Sequence, residues 1–208
     1  MKRLFTIILL FAFAMLLAAC ANTNDSLKII TKEGIKPYKL SKNEKYLLQA
    51  FGLEEDAQII SFFAPKEAIT LKVNVYRLGG GNTWEIIGGG GVSIGYEREP
   101  VEQLTGTFTM QLEENYAINF IVNINNAGKG AYKTNEVLLD TERLISTKVF
   151  LQEFQKIELN QKIPVALLVY DSGTTMRSYA LQDYFNPEKF AGMDLVQAVT
   201  LTFTDNEL

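Results

Sequence analysis

Residues 116–124 read Tyr116-Ala117-Ile118-Asn119-Phe120-Ile121-Val122-Asn123-Ile124. Tyr116, Ile118, Phe120, Val122 and Ile124 fall on one side of an extended chain, and Ala117, Asn119, Ile121 and Asn123 on the other. Side chains alternate across a strand, so this period of two sets an apolar face on a core and a second face toward water. Just before it, Phe108, Met110 and Leu112 alternate with Thr107, Thr109 and Gln111, and the short acidic turn Glu113-Glu114-Asn115 joins the two runs. Two such runs around a short turn predict neighbouring antiparallel strands.

Moving upstream, Ile69, Leu71, Val73 and Val75 alternate with Thr70, Lys72, Asn74 and Tyr76. Gly79-Gly80-Gly81-Asn82 then turns the chain into a strand over 83–87, and an earlier β-prone run, 58–64, stops at Pro65. The four glycines 88–91 invite a phosphate-cradling reading, but such a loop opens a helix, whereas 92–96 has strand character and no Gly-Lys-Ser/Thr follows. A bulge, a sharp bend or a loose loop is expected there, with close approach of a ligand near Trp84 as the alternative. Residues 97–103 read as a polar connection.

Downstream, 125–130 reads as a turn and 132–139 as a weak strand. Residues 141–159 fit both a helix and a strand, and a bulged strand is preferred for Ile145, Thr147, Val149 and Phe150. The nearly continuous apolar run 163–170 predicts a central strand covered on both faces. A turn at 171–174, a β-prone run at 176–185, a break at Asn186-Pro187 with one helical turn to Gly192, and a last strand over 195–203 complete the pattern.

One helix is predicted. Ser41-Lys42-Asn43-Glu44 is a capping box, followed by Tyr46, Leu47, Leu48 and Phe51 and stopped by Gly52. It is expected to pack over one end or edge of the sheet, a docking role being the alternative. An edge strand at 27–31 and a turn at 33–37 precede it. The sum is a mainly β chain, an antiparallel β-sandwich with one short N-terminal helix, forming a single domain over 27–208.

The first residues have a different character. Lys2 and Arg3 precede an apolar run to Leu16, closed by Leu17-Ala18-Ala19-Cys20. That is the pattern of a cleaved signal peptide over 1–19, too short for a comfortable membrane span of roughly 17 to 25 apolar residues. Leu17-Ala18-Ala19-Cys20 resembles the lipobox of bacterial lipoproteins. The resemblance implies cleavage between Ala19 and Cys20 and acylation of Cys20 by diacylglycerol and palmitate-like chains, with 20–26 as lipidated cysteine and flexible tether. It places the protein on the extracytoplasmic face of the cell membrane, held through the lipid. The chain is also similar to small uncharacterised Gram-positive lipoproteins with a β-rich domain behind a lipobox, in which Tyr170-Asp171-Ser172-Gly173 and Asp183-Tyr184-Phe185 resemble recurring features.

Composition narrows the function. The formal net charge is −4, and the leader holds Lys2 and Arg3 and no acids, so the mature side chains sum to −6. An acidic body repels nucleic acid, and neither a cofactor nor a metal is expected. With no histidine in the chain, Ser-His-Asp and Cys-His catalysis and His-ligated zinc are excluded, and the lone Cys20 cannot close an intrachain disulfide. Carboxylates at Glu54-Glu55-Asp56, at Glu97 with Glu99 and at Glu113-Glu114 fall in expected connections, where solvated charge is the default. Asp171-Ser172-Gly173 and Asp205-Asn206-Glu207 lack a calcium-loop pattern, and Ser41-Lys42 lacks the S-x-x-K spacing.

Aromatic residues in or near connections carry the one ligand-binding expectation. Trp84, Tyr96 and Tyr184 are the candidates, since exposed ring faces bind sugars and protein partners. The expected function is a lipid-anchored envelope protein whose non-catalytic domain binds a protein or an envelope polymer. The alternatives are a glycan-active enzyme with paired carboxylates, or a structural component of envelope assembly.

Overall fold

The computed structural model describes residues 30–97, 101–139, 144–173 and 177–208. Ten strands form two five-stranded antiparallel sheets. The first sheet has the order β1 (Gly34–Pro37), β2 (Ala57–Phe63), β5 (Thr105–Leu112), β6 (Ile118–Ile124), β7 (Gly128–Lys133). The second runs β4 (Trp84–Ser93), β3 (Thr70–Leu78), β10 (Leu195–Thr204), β9 (Lys162–Asp171), β8 (Ile145–Phe150). The expected sandwich with one short helix, α1 (Lys42–Ala50), is the observed fold.

The stretch 116–124 explains the first sheet. In β6, Ile118, Phe120, Val122 and Ile124 are buried while Ile121 and Asn123 are exposed, so the sheet keeps one wet face. Their inner partners are Ile60, Phe62, Phe108 and Met110, which meet Leu71, Val73, Val75, Val199, Leu201 and Phe203 of the second sheet in one core. Phe62 and Phe203 make a tilted ring pair across it, 5.7 Å between centroids. Fully burying side chains of this size contributes roughly 1.5 to 3 kcal/mol each, and this shared interior is the main force holding the sheets together.

The second sheet is covered twice. Tyr76, Leu167, Val169, Val196 and Ala198 point away from the shared core into a second one, closed by Tyr184 and Phe190. Those two come from the 3₁₀ turns Leu181–Phe185 and Pro187–Phe190. The continuous apolar run of β9 is thus a strand buried on both faces, as its lack of alternation implies.

Several local expectations are corrected. The turn expected at 33–37 is instead edge strand β1 from Gly34 on: Pro37 ends an edge, where its missing N–H costs little. Gly34 lies where a Cβ would fall 2.4 Å from the Phe154 ring. The strands expected at 83–87 and 92–96 are one strand, β4, which runs through the glycines with a register shift opposite Val75 and Tyr76 and ends at Ser93, so that 95–97 form a turn. The 125–130 turn is shorter, because β7 already begins at Gly128, and 134–139 adds no strand. Within 141–159 the strand preference holds for Ile145–Phe150, and 151–159 is irregular apart from a bridge between Ile35 and Gln155. The β-prone run at 176–185 is not a strand where described, because Asp183 folds back to accept the Ala180 N–H at 2.9 Å and closes a 3₁₀ turn. Of the edge strand expected at 27–31, Ile30 is buried without strand pairing, and the residues before it lie outside the described ones.

The capping box of α1 is present, Glu44 N–H to Ser41 Oγ at 3.3 Å and Ser41 N–H to Glu44 at 2.5 Å. Its packing differs from the expectation: the helix buries no residue. A capping box specifies where a helix starts, not what its apolar side meets.

Candidate functional site

The glycines 88–91 are shaped for packing. A Cβ on Gly90 would lie 2.4 Å from the ring of Tyr132, and the Tyr132 hydroxyl donates to the Gly91 carbonyl at 2.7 Å. Bare backbone in β4 lets the edge of the opposite sheet close on it, with Tyr132 stacked on Phe120 at 5.3 Å. The space above Gly90 that a ligand would use is filled by Tyr132.

The three candidate aromatics do not share one site. Trp84 and Tyr184 come together, stacked at 5.1 Å with rings 22° apart, and the indole N–H donates to the Tyr184 carbonyl at 2.8 Å. Tyr76 and Phe190 complete this cluster at 5.7 and 6.1 Å. Tyr184 is 5% exposed, and burial, with Tyr76 beside it, pushes its phenol well above the ordinary range. Tyr96 stands at the opposite end of β4, after Ser93 and about 30 Å along the strand from Trp84, and is 65% exposed.

A cleft opens at the end of the sandwich where β5 turns into β6. Its volume is about 930 Å³, and Asp56, Glu113, Glu114, Tyr116, Lys148 and Tyr170 are among the residues that line it. A smaller depression of about 430 Å³ lies on the other side of the same turn, reaching Lys133 and Glu136. The topology explains the gathering: Asp56 precedes β2, the turn follows β5, Lys148 lies in β8 and Tyr170 ends β9. Residues far apart in sequence therefore meet at one rim.

The turn carries unusual backbone. Asn115 and Tyr116 have φ of 56° and 60°, consecutive residues in left-handed conformation without a glycine. Asparagine tolerates this, but for a bulky tyrosine it costs on the order of 1 to 2 kcal/mol. The surroundings hold it in place. The Val137 N–H donates to the Asn115 carbonyl at 2.8 Å, and the Asn115 amide donates to Glu136 at 3.1 Å. Gln197, fully buried in β10, donates its side-chain amide to the Tyr116 carbonyl at 3.0 Å. The Tyr116 ring packs edge-on against Tyr170, 4.7 Å between centroids and 70° apart. Strain of this kind, over-determined by its neighbours, is characteristic of binding and active sites.

The charges around the turn are paired. Lys148 binds Asp56, and Lys133 binds Glu113 at 2.5 Å, while Glu114 is exposed. The hydrogen bond that the Lys133 ammonium donates to Glu113, with the carboxylate charge, holds that ammonium above its usual range. Burial, with Tyr116 and then Asp56 nearby, raises the Tyr170 phenol to about 12. Glycosidase carboxyls face one another across the sugar, whereas Asp56 and Glu113 are each engaged by a lysine, Lys148 and Lys133. Among the described residues no group of three or more His, Cys, Asp or Glu is placed to hold a metal ion.

Comparison with protein-family models, curated proteins and solved structures yields no match. The site is therefore read from its own chemistry: donors on Lys148, Ser146 and Asn115, acceptors on three carboxylates, and a tyrosine pair as a rigid wall. Sequence reading reaches Asp56, Glu113 and Glu114 only as loop charges, takes Tyr116 for a core-facing strand residue where the structure has the end of a 3₁₀ turn, takes Tyr170 for the end of a central strand, and does not single out Lys148. The signal available was the acidic turn between the two clearest strands. Cys20 and Ala19 lie outside the described residues, as does Glu99, and Glu97 sits in the turn with Tyr96.

Proposed function

We propose that the protein is a lipid-anchored, extracytoplasmic binding protein whose sandwich receives a hydrophilic envelope ligand, a polymer or a protein segment, in the cleft beside the 113–116 turn. The anchor rests on the leader and on Leu17-Ala18-Ala19-Cys20. Two or more acyl chains hold a protein durably on a bilayer, and the acidic body supplies no overall attraction to anionic headgroups. The observation that carries the binding reading is the cleft itself: an open, polar depression walled by a tyrosine held at positive φ. Ion-paired carboxylates suit recognition through hydrogen bonds and charge better than proton transfer.

Capture from detergent-solubilised envelope by the processed protein tests this, with a glycan array separating polymer from protein ligands. Wild type is expected to retain a component that Tyr116→Ala and Ser146→Trp lose while remaining folded. Equal capture by all three would contradict the cleft. Cys20→Ala should accumulate the unprocessed chain without labelled fatty acid, and a labelled, normally sized product from that variant would refute the anchor.

A further inference from the structure

Helix α1 lies on the sandwich with its outer surface uncovered. Glu44 and Leu48, its half-buried positions, are one turn apart and face the domain. Tyr46 and Leu47 lie off that side and are 68% and 54% exposed, and Phe51, the C-cap residue on the side of Glu44 and Leu48, stands beyond the last turn and is 75% exposed. Lys42 and Lys45 run along one margin of this apolar strip at helical spacing. The acid within the helix is turned inward, where Glu44 caps the Ser41 N–H and accepts the Tyr38 hydroxyl at 3.1 Å. Scattered apolar residues are ordinary on a surface, but three large ones within six residues, along α1 and its C-cap, form a patch that calls for a partner.

We infer that this face of α1 rests in the headgroup region of the bilayer to which Cys20 is joined. Tyr46, Leu47 and Phe51 enter the interface, and Lys42 and Lys45 meet anionic phosphates. The inference rests on the lipid-anchor reading. Aromatic and leucine side chains on one side with lysines beside them are the composition of helices that lie in the interfacial plane. Chain length permits the contact. From Cys20 to Ile30 the chain spans at most about 35 Å, whereas Ile30 to Tyr38, at the foot of the helix, spans at most about 27 Å. The tether is therefore long enough to run back along the sandwich and set α1 against the membrane. The body sums to −6, and exposed Lys42 and Lys45 supply ammonium groups on the outer margin of α1, where Gln49 also holds the Glu54 carboxylate at 2.9 Å. The cleft wall begins at Asp56, a few residues beyond α1, so the ligand would be met close to the membrane surface.

The test uses the processed, acylated protein in phosphatidylglycerol-containing vesicles. Acylation consumes the Cys20 sulfur, so Leu47→Cys introduces a unique thiol for an environment-sensitive fluorophore. Lys129→Cys, at the far end of the first sheet, is the matched reference. Nitroxide lipids should quench the label at position 47 several-fold more than at 129, and adding Tyr46→Glu with Phe51→Glu should abolish the difference. Mass spectrometry of the N-terminal peptide is read in parallel. An acylated terminus with equal quenching at both positions would overturn the inference and leave the anchor standing. An unacylated terminus would remove both, and crosslinking between labelled helices would assign the face to a second copy instead.

Discussion

Two aromatic groups on this molecule invite comparison, the Trp84–Tyr184 cluster and the Tyr116–Tyr170 pair. In the first, the rings satisfy one another, the indole N–H has its acceptor in the Tyr184 carbonyl, and Phe190 plugs the space beneath. In the second, a tyrosine is held in an unfavourable backbone conformation beside an open, charged depression. The first has the marks of a structural lid on the second sheet, and the second those of a site. The difference teaches that aromatic content near loops is not the discriminating feature. Whether the rings' polar and apolar needs are already met is what separates them.

The largest effect that would sharpen this contrast is expected at Phe190, which is 1% exposed. Phe190→Ala should cost about 3 to 5 kcal/mol in urea unfolding, as for other buried Phe truncations, while leaving envelope capture by the folded fraction unchanged. Lost capture at full stability would break the assignment of the cluster as structural.

Next in size is a pH effect in the cleft. Below pH 10 both folded and unfolded chains keep the Tyr170 proton, so this residue adds no pH dependence. From about pH 10 to 12 the unfolded chain releases it and the folded one does not, so stability falls by roughly 2 to 3 kcal/mol over that interval. Tyr184, also raised by burial, adds loss in the same direction. Denaturant midpoints measured across this range should drop less steeply in Tyr170→Phe. An unchanged slope would mean that Tyr170 is not buried against Tyr116 as described.

Smaller changes probe the supports. Asp183 accepts the Ala180 N–H and pairs with Lys189 at 2.5 Å, which holds its carboxyl below the usual range, Lys189 being the larger cause. Asp183→Ala should cost about 1 kcal/mol, the ordinary worth of a lost cap, without altering capture. That contribution in the wild type should fade as pH drops through the carboxylate range, because a lowered folded pKa gives stability present above the unfolded value. Smallest in stability is Gln197→Met. The Gln197 Oε1 is buried without a hydrogen-bond partner among the described residues, so losing the amide should change stability by less than about 1 kcal/mol. Hydrogen exchange at 114–117 should nonetheless quicken, and capture should weaken, since the Tyr116 carbonyl loses its strap.

The architecture was largely legible because period-two alternation states which face of a strand is apolar. Ile118 to Ile124 and Leu71 to Val75 keep the alternation read from them, whereas Tyr116 falls in the 3₁₀ turn before β6 and Tyr76, expected toward water, is buried in the second core. Alternation does not say what covers a second apolar face, which is why 176–185, carrying Tyr184, reads as another strand, although the helical turn expected after Asn186-Pro187 is present and carries Phe190. Nor does it say whether the apolar side of α1 is buried. The cleft was hidden for a different reason: Asp56, Tyr116, Lys148 and Tyr170 are brought together by strand order alone. The positive φ of Tyr116 follows from its hydrogen-bonded surroundings, and a tyrosine in sequence carries no mark of it. The glycine run was visible, but its meaning depended on Tyr132 from the other sheet.

The central claim is that ligand meets the cleft and not the aromatic lid. Photo-crosslinking in intact cells tests it directly, with a benzophenone side chain placed in the full chain at exposed Glu114 or at Phe185, which is 55% exposed beside Tyr184. A discrete adduct at position 114 with none at 185 is the predicted result. An adduct at 185 with none at 114 would contradict the account.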